Sequence, residues 1–446
     1  MQTMYTAMIN SPVTTLASGI DTTQTTITVT DGNKLPAAPN LATLGGGEST
    51  ETILYTGKTG NTLTGVTRGF QGTAKAWTTG TQIGRFFTAY DHDAFLNNIN
   101  SIQAMPTAEM SRQAIINGNF DIWQRGTTAT NPAHNTYPAA DRWKVLVDGS
   151  GFPSSIVHSR QSLTPGDIPG AYYFYRVAPN GAGTAPDLYR LTQLVEHGTR
   201  YLCGAGKKVT ISFWARSSIA NKRIGVYLIQ GYGTGGSPSA AENINGYNWT
   251  LTNEWKKYTA TFTTNTLGKT FGSNNDDTLS ILFGYAWNTT FMGRFGASTA
   301  ENFVGAGNID IAQVQLCAGD VDVPFQPRSF TDELVLCQRY YEKSYNYNVR
   351  PGTVDPAGMI TTYASDGYII ADGGAFKVGK RITPTMAVYS PYSGTISKAR
   401  RFGDSSDVAV DGFEYTSTNH AGRIYYGAGN AIPGMYQFHW TADAEL

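Results

Sequence analysis

The sequence is short of charge. Asp, Glu, Lys and Arg make up 15% of its 446 residues, against about 25% in an ordinary globular domain. The two signs balance at 33 each, so the formal net charge is zero. No basic block occurs, which argues against nucleic acid as a partner. Cysteine is scarce as well. Cys203, Cys317 and Cys337 are odd in number and far apart, fit neither a disulfide framework nor a zinc site, and are expected as buried free thiols. No window approaches the roughly 18 apolar residues of a membrane helix, so no membrane insertion is expected. The opening MQTMYTAMINSPVTT has no positive stretch and no long apolar run. It does not read as a signal peptide, and synthesis in a cytoplasm is expected.

Catalytic signatures are missing too. The six histidines, at 92, 134, 158, 197, 420 and 439, include no i, i+4 pair of a metalloprotease helix. There is no nucleophile elbow, no phosphate-cradling glycine loop and no short-period repeat of a β-helix. Paired carboxylates need not be adjacent in sequence. Asp141, Glu196, Asp276 and Asp277 are available, although Asp276-Asp277 in SNNDDT reads more simply as a turn.

What is present is Gly, Thr, Asn, Tyr and other aromatics. There are 50 glycines, and aromatics reach 12%. This is a profile of strands and turns rather than helices, and a length consistent with about two to four domains. Residues 1–87 carry short alternating runs. ETILYTG (51–57) and NTLTGVTRG (61–69) read as a hairpin. From 88 to 105 the period changes. Phe95, Ile99 and Ile102 fall at i, i+4 and i+7, a helical stripe. Thr88 and Asp91 offer a capping box, and Pro106 ends the helix. The helix is short and marginal on its own. Around a threefold axis the three apolar residues would meet their copies as a coiled coil; packing on the chain's own domain is the alternative.

Residues 111–328 read as one large antiparallel sandwich. Strands are expected at 114–116 and 120–125, then at 170–178, 189–195, 208–215, 223–230, 256–263, 278–285 and 308–316. Residues 230–248 read as a long Gly- and Ser-rich loop, a place where function tends to sit. A helix is expected over 329–345. The β-pattern then returns over 346–446, with strands at 367–371, 375–378, 386–389, 412–415, 422–426 and 435–441. The expected fold is therefore all-β and multidomain.

Two signatures frame the large domain. AIINGNFDIWQRGT (114–127) is followed by YPAADRW (137–143), and FQPRS (325–329) by ELVLCQRYYEKS (333–344). Together they resemble the jelly-roll domain of phage tail fibre and receptor-binding proteins. VTISFWAR (209–216), EWKKYTATF (254–262) and IDIAQVQL (309–316) are similar to strands of jelly-roll carbohydrate-binding modules. Residues 51–83 resemble a small β-module at the amino end of baseplate and tail-tip proteins.

The resemblance implies five parts. These are a β-module at 1–87 attaching to baseplate or tail proteins, a helical linker at 88–110 and the jelly roll at 111–328. A connecting helix at 329–345 and a distal β-sandwich or barrel-like domain at 346–446 complete the chain. It implies a homotrimer in a virion, made in the host cytoplasm. The function implied is adsorption to a host-surface polysaccharide or lipopolysaccharide without catalysis. A polysaccharide depolymerase, or a purely structural tail-tip protein, are the alternatives. Jelly-roll sugar modules often hold calcium between their first and last strands. By order in the chain Asn119, Asp121 and Asp310 match those places; pairing of the two aspartates with arginines is the rival reading.

Sugars present flat apolar faces ringed by hydroxyls, so exposed aromatics in loops are the feature to seek. The distal region offers Tyr389, Tyr392, Tyr425, Tyr426 and Trp440, with Tyr392 favoured by its place between Pro391 and Gly394. The jelly roll offers Tyr232, Tyr247 and Trp249 as a rival site.

Overall fold

A computed structural model describes residues 2–47, 49–103, 112–185, 187–364, 369–425 and 433–446. The chain forms two compact units, Met1–Met105 and Pro106–Leu446. Both are built from β-sheet.

In the first unit the strands are β1 (Val13–Thr15), β2 (Ile27–Thr28), β3 (Asn40–Gly46), β4 (Ser49–Thr59), β5 (Thr62–Gln71) and β6 (Gln82–Gly84). They form one sheet in the order β1-β6-β3-β4-β5-β2. The expected hairpin is there: Thr59 pairs with Thr62 across the Gly60-Asn61 turn. Leu44, Ile53, Leu63 and Ile83 are buried within the sheet's core. Helix α1 (Ala89–Gln103) follows. Thr88 caps it as expected, its amide donating to Asp91 Oδ2 at 2.8 Å. Ala94 is buried, whereas Phe95 is 53% exposed and Ile99 is half-buried. The side chain of Ile102 lies outside the described residues.

The second unit opens with a sandwich. Its strands are β7 (Thr128–Thr130), β8 (Lys144–Asp148), β9 (Ile156–Ser162), β10 (Tyr173–Pro179) and β11 (Leu188–Glu196). After a short helix, α2 (Gly198–Leu202), come β12 (Lys208–Ser217), β13 (Arg223–Gly231), β14 (Glu242–Thr250), β15 (Lys256–Thr263), β16 (Thr278–Ala286) and β17 (Ile309–Ala318). One sheet runs β15-β12-β17-β10-β9-β7 and the other β14-β13-β16-β11-β8. Their inner faces bury Tyr175, Val177, Leu191, Ile211, Phe213, Val226, Ile281, Phe283 and Ile311 in one core. Alternation puts these residues inward, because successive side chains of a strand point to opposite faces.

Helix α3 (Phe330–Gln338) leads to β18 (Tyr341–Lys343), β19 (Ile360–Ala364), β20 (Ile369–Asp372) and β21 (Thr385–Tyr389). The chain closes through β22 (Lys398–Arg401), β23 (Ser406–Ala409), β24 (Gly412–Glu414), β25 (Arg423–Tyr425) and β26 (Gly434–Asp443). Strand β26 is the hub of this distal layer and pairs with β18, β19, β21 and β22. The fold is all-β and multidomain, as read from the sequence.

Several local expectations are corrected. Residues 114–125 form turns, not two strands. Asn117 and Phe120 sit at φ 58° and 55°, a left-handed conformation that breaks strand geometry. The Asn117 side chain holds the turn together. It donates to the carbonyls of Ile122 and Asp141 at 2.8 and 3.0 Å and accepts from the Ile122 amide at 2.9 Å. Gly118 is tied to the same corner, since a Cβ there would lie 2.1 Å from the Val314 carbonyl oxygen. The expected helix over 329–345 stops at Gln338, because Tyr341, Glu342 and Lys343 pair with β26. Residues 375–378 make a single bridge, Ala375 to His420, rather than a strand. The second half of the expected loop over 230–248 is edge strand β14, paired along β13 with a bulge.

Candidate functional site

The two signatures face each other in a buried polar joint. Arg125 lies 3.6 Å over the Tyr341 ring and donates to Asp443 and Glu445, each at 3.2 Å. Arg142, fully buried, lies 3.5 Å over the Tyr340 ring and pairs with the other Glu445 oxygen. Lys343 donates to the carbonyls of Gln124, Tyr347 and Val349 at 2.7, 2.9 and 2.6 Å. Burial pulls that ammonium down to about 8. Lys380 pairs with Glu342 at 2.6 Å, both buried. Every charge here has an opposite charge or several oxygens, as buried charge requires. The joint is thus structural, and it fastens the sandwich to the distal layer within one unit.

The four available carboxylates are engaged the same way. Asp141 takes the Gln124 amide and lies 3.5 Å from Arg125. Glu196 accepts from Arg339 at 3.1 and 2.9 Å and from the Tyr340 hydroxyl at 2.6 Å. Asp276 accepts from the Thr234 amide at 2.7 Å, a bond between two loops rather than within the SNNDDT turn read from the sequence. Asp277, 1% exposed, accepts from His197 and Arg200. Buried His158 sits between the hydroxyls of Tyr175 and Tyr189 at 2.7 and 2.6 Å, and burial drops its pKa to about 3. The three cysteines are free and buried.

Of the residues matched to calcium, Asp310 is held by Arg176 at 2.7 Å and Arg216 at 3.0 Å. Arginine pairing thus takes up this aspartate. Asn119 donates instead to Asp121 Oδ2 at 3.0 Å. Burial raises the Asp121 carboxyl to about 6 against the pull of Asn119 and Arg160.

The aromatic candidates divide. Trp440 is 4% exposed, belongs to the distal core and donates its indole N–H to the Gly373 carbonyl at 3.0 Å. It is corrected from binding residue to core residue. Alternation along β26 buries it, as it buries Tyr436 and Phe438. Tyr232 is corrected likewise. It is 1% exposed, and its hydroxyl donates to Glu242 at 2.8 Å. Tyr389 and Tyr425 are half-buried, and Tyr426 lies outside the described residues. Tyr392 is 45% exposed at its turn, with the Arg400 guanidinium 5.1 Å from its ring. The distal tyrosines do not converge on one cavity among the described residues.

Tyr247 and Trp249 do share a place. They stack at 6.2 Å on β14, and Tyr247 packs edge-on against Phe262 of β15 at 5.6 Å. Trp249 is half-buried against the sandwich core; Tyr247 is 47% exposed. The Tyr247 hydroxyl donates to the Thr261 carbonyl at 3.1 Å. The pair therefore closes the seam where the margins of the two sheets meet.

A groove of about 660 Å³ runs along the same seam. Glu242, Asn243, Ile244 and Asn245 of β14 line one wall; Thr263, Asn265, Lys269 and Gln230 line the rest. Glu242 is tied to Lys269. Asn243 and Asn245 are exposed, and their side-chain amides make no hydrogen bond among the described residues. Tyr247, legible in the sequence, follows the last β14 residue of this groove by two positions; the groove itself was not legible. Its signal was the alternation ENINGYNW from Glu242, weakened by three asparagines and a glycine.

Neither a family model nor a curated protein matches the sequence. Solved structures do match in fold. The N-terminal cellulose-binding domain of a β-1,4-glucanase from Cellulomonas fimi is 15% identical, covers 41% of this chain and 90% of its own length, and has a TM-score of 0.25. A family 11 carbohydrate-binding module from Clostridium thermocellum, solved with a mixed-linked tetrasaccharide, is 14% identical over 44% and 99%, with a TM-score of 0.23. A cleaved adhesin domain of Lys-gingipain from Porphyromonas gingivalis is 16% identical over 44% and 100%, with a TM-score of 0.21.

Proposed function

We propose that this chain binds a glycan without cleaving it, as the receptor-binding protein of a phage tail. The observation that carries the reading is the groove along β14. Its lining of amides, a hydroxyl, a carboxylate and an ammonium offers the donors and acceptors that sugar hydroxyls need. Apolar Ile244 in the wall and the half-exposed Tyr247 ring beyond Asn245 offer flat surface for a sugar face. A strand advances about 6.7 Å per two residues, so Asn243 and Asn245 are spaced to contact successive positions of an extended saccharide.

Glycoside hydrolysis uses a pair of carboxylates. Glu242 is the carboxylate of this groove, and its pairing with Lys269 and Tyr232 holds it below the usual range. That favours holding a sugar over cutting it. In this reading residues 1–87 attach to the particle and exposed Phe95 of α1 contributes to a homotrimer. Light scattering giving a monomer would remove the trimer.

The test is retention of the intact protein on host surface polysaccharide, with reducing-end release measured alongside. Binding without release is expected. The Asn243→Ala, Tyr247→Ala double variant is expected to bind about tenfold or more weakly, because it loses a stacking surface and hydrogen bonds. Release of reducing ends would move the chain to the depolymerase class. Retention of particles but no binding to polysaccharide or cells would leave a structural tail-tip protein.

A further inference from the structure

A second cleft, of about 640 Å³, opens beside the first signature. It is separate from the β14 groove and shares no lining residue with it. Its walls bring together Thr127, Thr128, Arg160, Tyr173, Asn348 and Arg350. The Arg160 guanidinium lies over the Tyr173 ring, 4.4 Å from its centre, a contact that occupies a face of the guanidinium and none of its N–H donors. Arg350 is exposed, yet its stem is seated. Gly126 has φ 107°, and a Cβ there would lie 3.1 Å from Arg350 Cδ, so the aliphatic stem lies against bare backbone.

Among the described residues no ion pair or side-chain hydrogen bond engages either guanidinium. By contrast, Arg68, Arg85, Arg125, Arg142, Arg176 and Arg190 are all committed to carboxylates. The acid that Arg160 acts on is Asp121, a buried carboxyl raised to about 6 by desolvation against the pull of Arg160. Thr127, Thr128 and Asn348 line the same cleft.

We propose that this cleft binds an acidic saccharide, a sugar ring bearing a carboxylate. Two forks of N–H donors match a carboxylate in geometry and charge, and the hydroxyl and amide groups match the remaining sugar hydroxyls. Nucleic acid fits less well, because the molecule has zero net charge and the cleft has two cations rather than a track of them.

The experiment is calorimetric titration of the full chain with trigalacturonate, maltotriose and inorganic phosphate in low salt. Trigalacturonate is expected to bind, with affinity falling as salt rises. Arg350→Gln and Arg160→Gln are each expected to weaken it about tenfold or more, since each removes charge-assisted hydrogen bonds. Arg350 is exposed, so its variant keeps the wild-type melting temperature and separates lost binding from lost folding. The Asn243→Ala, Tyr247→Ala variant retains trigalacturonate affinity while losing the groove ligand. Equal affinity for maltotriose would overturn the acidic class. Phosphate binding as tightly would reduce the site to a simple anion cradle and overturn the saccharide. Indifference to both arginine changes would overturn the site. None of these outcomes touches the β14 groove, whose own failure appears only in the groove variant.

Discussion

At the scale of single residues, buried charge decides stability. Glu51 is fully buried and takes five donors: Arg68 Nε and Nη2, the Trp77 indole, and the amides of Gly69 and Lys75, at 2.8 to 3.2 Å. Burial alone would raise its pKa; the donors outweigh that and hold it down to about 2. Glu51→Gln leaves Arg68 without its counter-charge, and a loss of about 3 kcal/mol is expected in denaturant unfolding of the first unit. His158 works in the opposite sense to an ordinary surface histidine. Its folded pKa of about 3 lies below the unfolded value, so its stabilisation is present above pH 6.5 and is lost as pH falls toward 3. The slope is up to about 1.4 kcal/mol per pH unit. Asp121, raised to about 6, contributes the reverse trend between 3.8 and 6. The difference between wild type and His158→Gln therefore isolates the histidine. Unfolding at pH 7 and pH 5 reads it, and an unchanged difference between the two would refute it. Neither role was legible in the sequence. Glu51 stands alone in a Thr-rich strand, and His158 lies in a stretch, IVHSRQS, that was not read as a strand.

At the scale of elements, alternation was the dependable signal. Strand β15 occupies the residues read from the sequence, and β10, β11, β12, β13, β16 and β17 differ from the reading only at their ends. Strands β8, β9 and β14 were missed for physical reasons. His158 stands inward on β9, polar residues fill edge strand β14, and β8 is a five-residue strand with Lys144 and Asp148 at its ends; there packing and tertiary hydrogen bonds supply what propensity does not. The opening signature was misread as strands because its periodicity is two, while its Asn117 corner is stabilised by side-chain bonds no periodicity reports. The same signature carries an element-scale prediction. Glu445 faces both Arg125 and Arg142, so Glu445→Ala leaves buried Arg142 without its counter-charge and takes from Arg125 one of the three carboxylates around it. A loss of about 3–5 kcal/mol is expected in the second unit, measured by thermal or urea unfolding. A change under about 0.5 kcal/mol, as at an ordinary surface site, would show that the tail pairing is incidental.

At the scale of the whole molecule, the distal layer is not a detachable tip. A boundary at residue 346 looked natural in the sequence, where the helical pattern ends and strands resume. The structure puts β18, which precedes that boundary, in register with the end of β26: Tyr341 with Asp443, Glu342 with Ala442 and Lys343 with Thr441. It also buries Lys380 against Glu342 and the Gln338 carbonyl. A fragment of residues 346–446 would lose one neighbour of its central strand, together with the Glu342 carboxylate and the Gln338 carbonyl that hold the Lys380 ammonium. Such a loss is of the same order as the whole stability of a small domain. That fragment is expected to be unfolded, with no cooperative melting transition and fast amide exchange. Residues 112–446 are expected to melt as one transition, because Arg125, Arg142, Lys343 and Lys380 tie the sandwich and the distal layer together. Two separate transitions in calorimetry of 112–446, or a cooperative melt of 346–446 alone, would show that the joint transmits little stability. It follows that deleting the distal layer cannot by itself locate a receptor site, since the deletion also exposes Arg125, Arg142 and the signature turn of the sandwich. Point changes at Tyr247 in the groove and Tyr392 at the distal turn separate the two locations without that damage. Loss of adsorption in the Tyr247 variant with normal melting is the expected result, and loss confined to the Tyr392 variant would move the site to the distal layer.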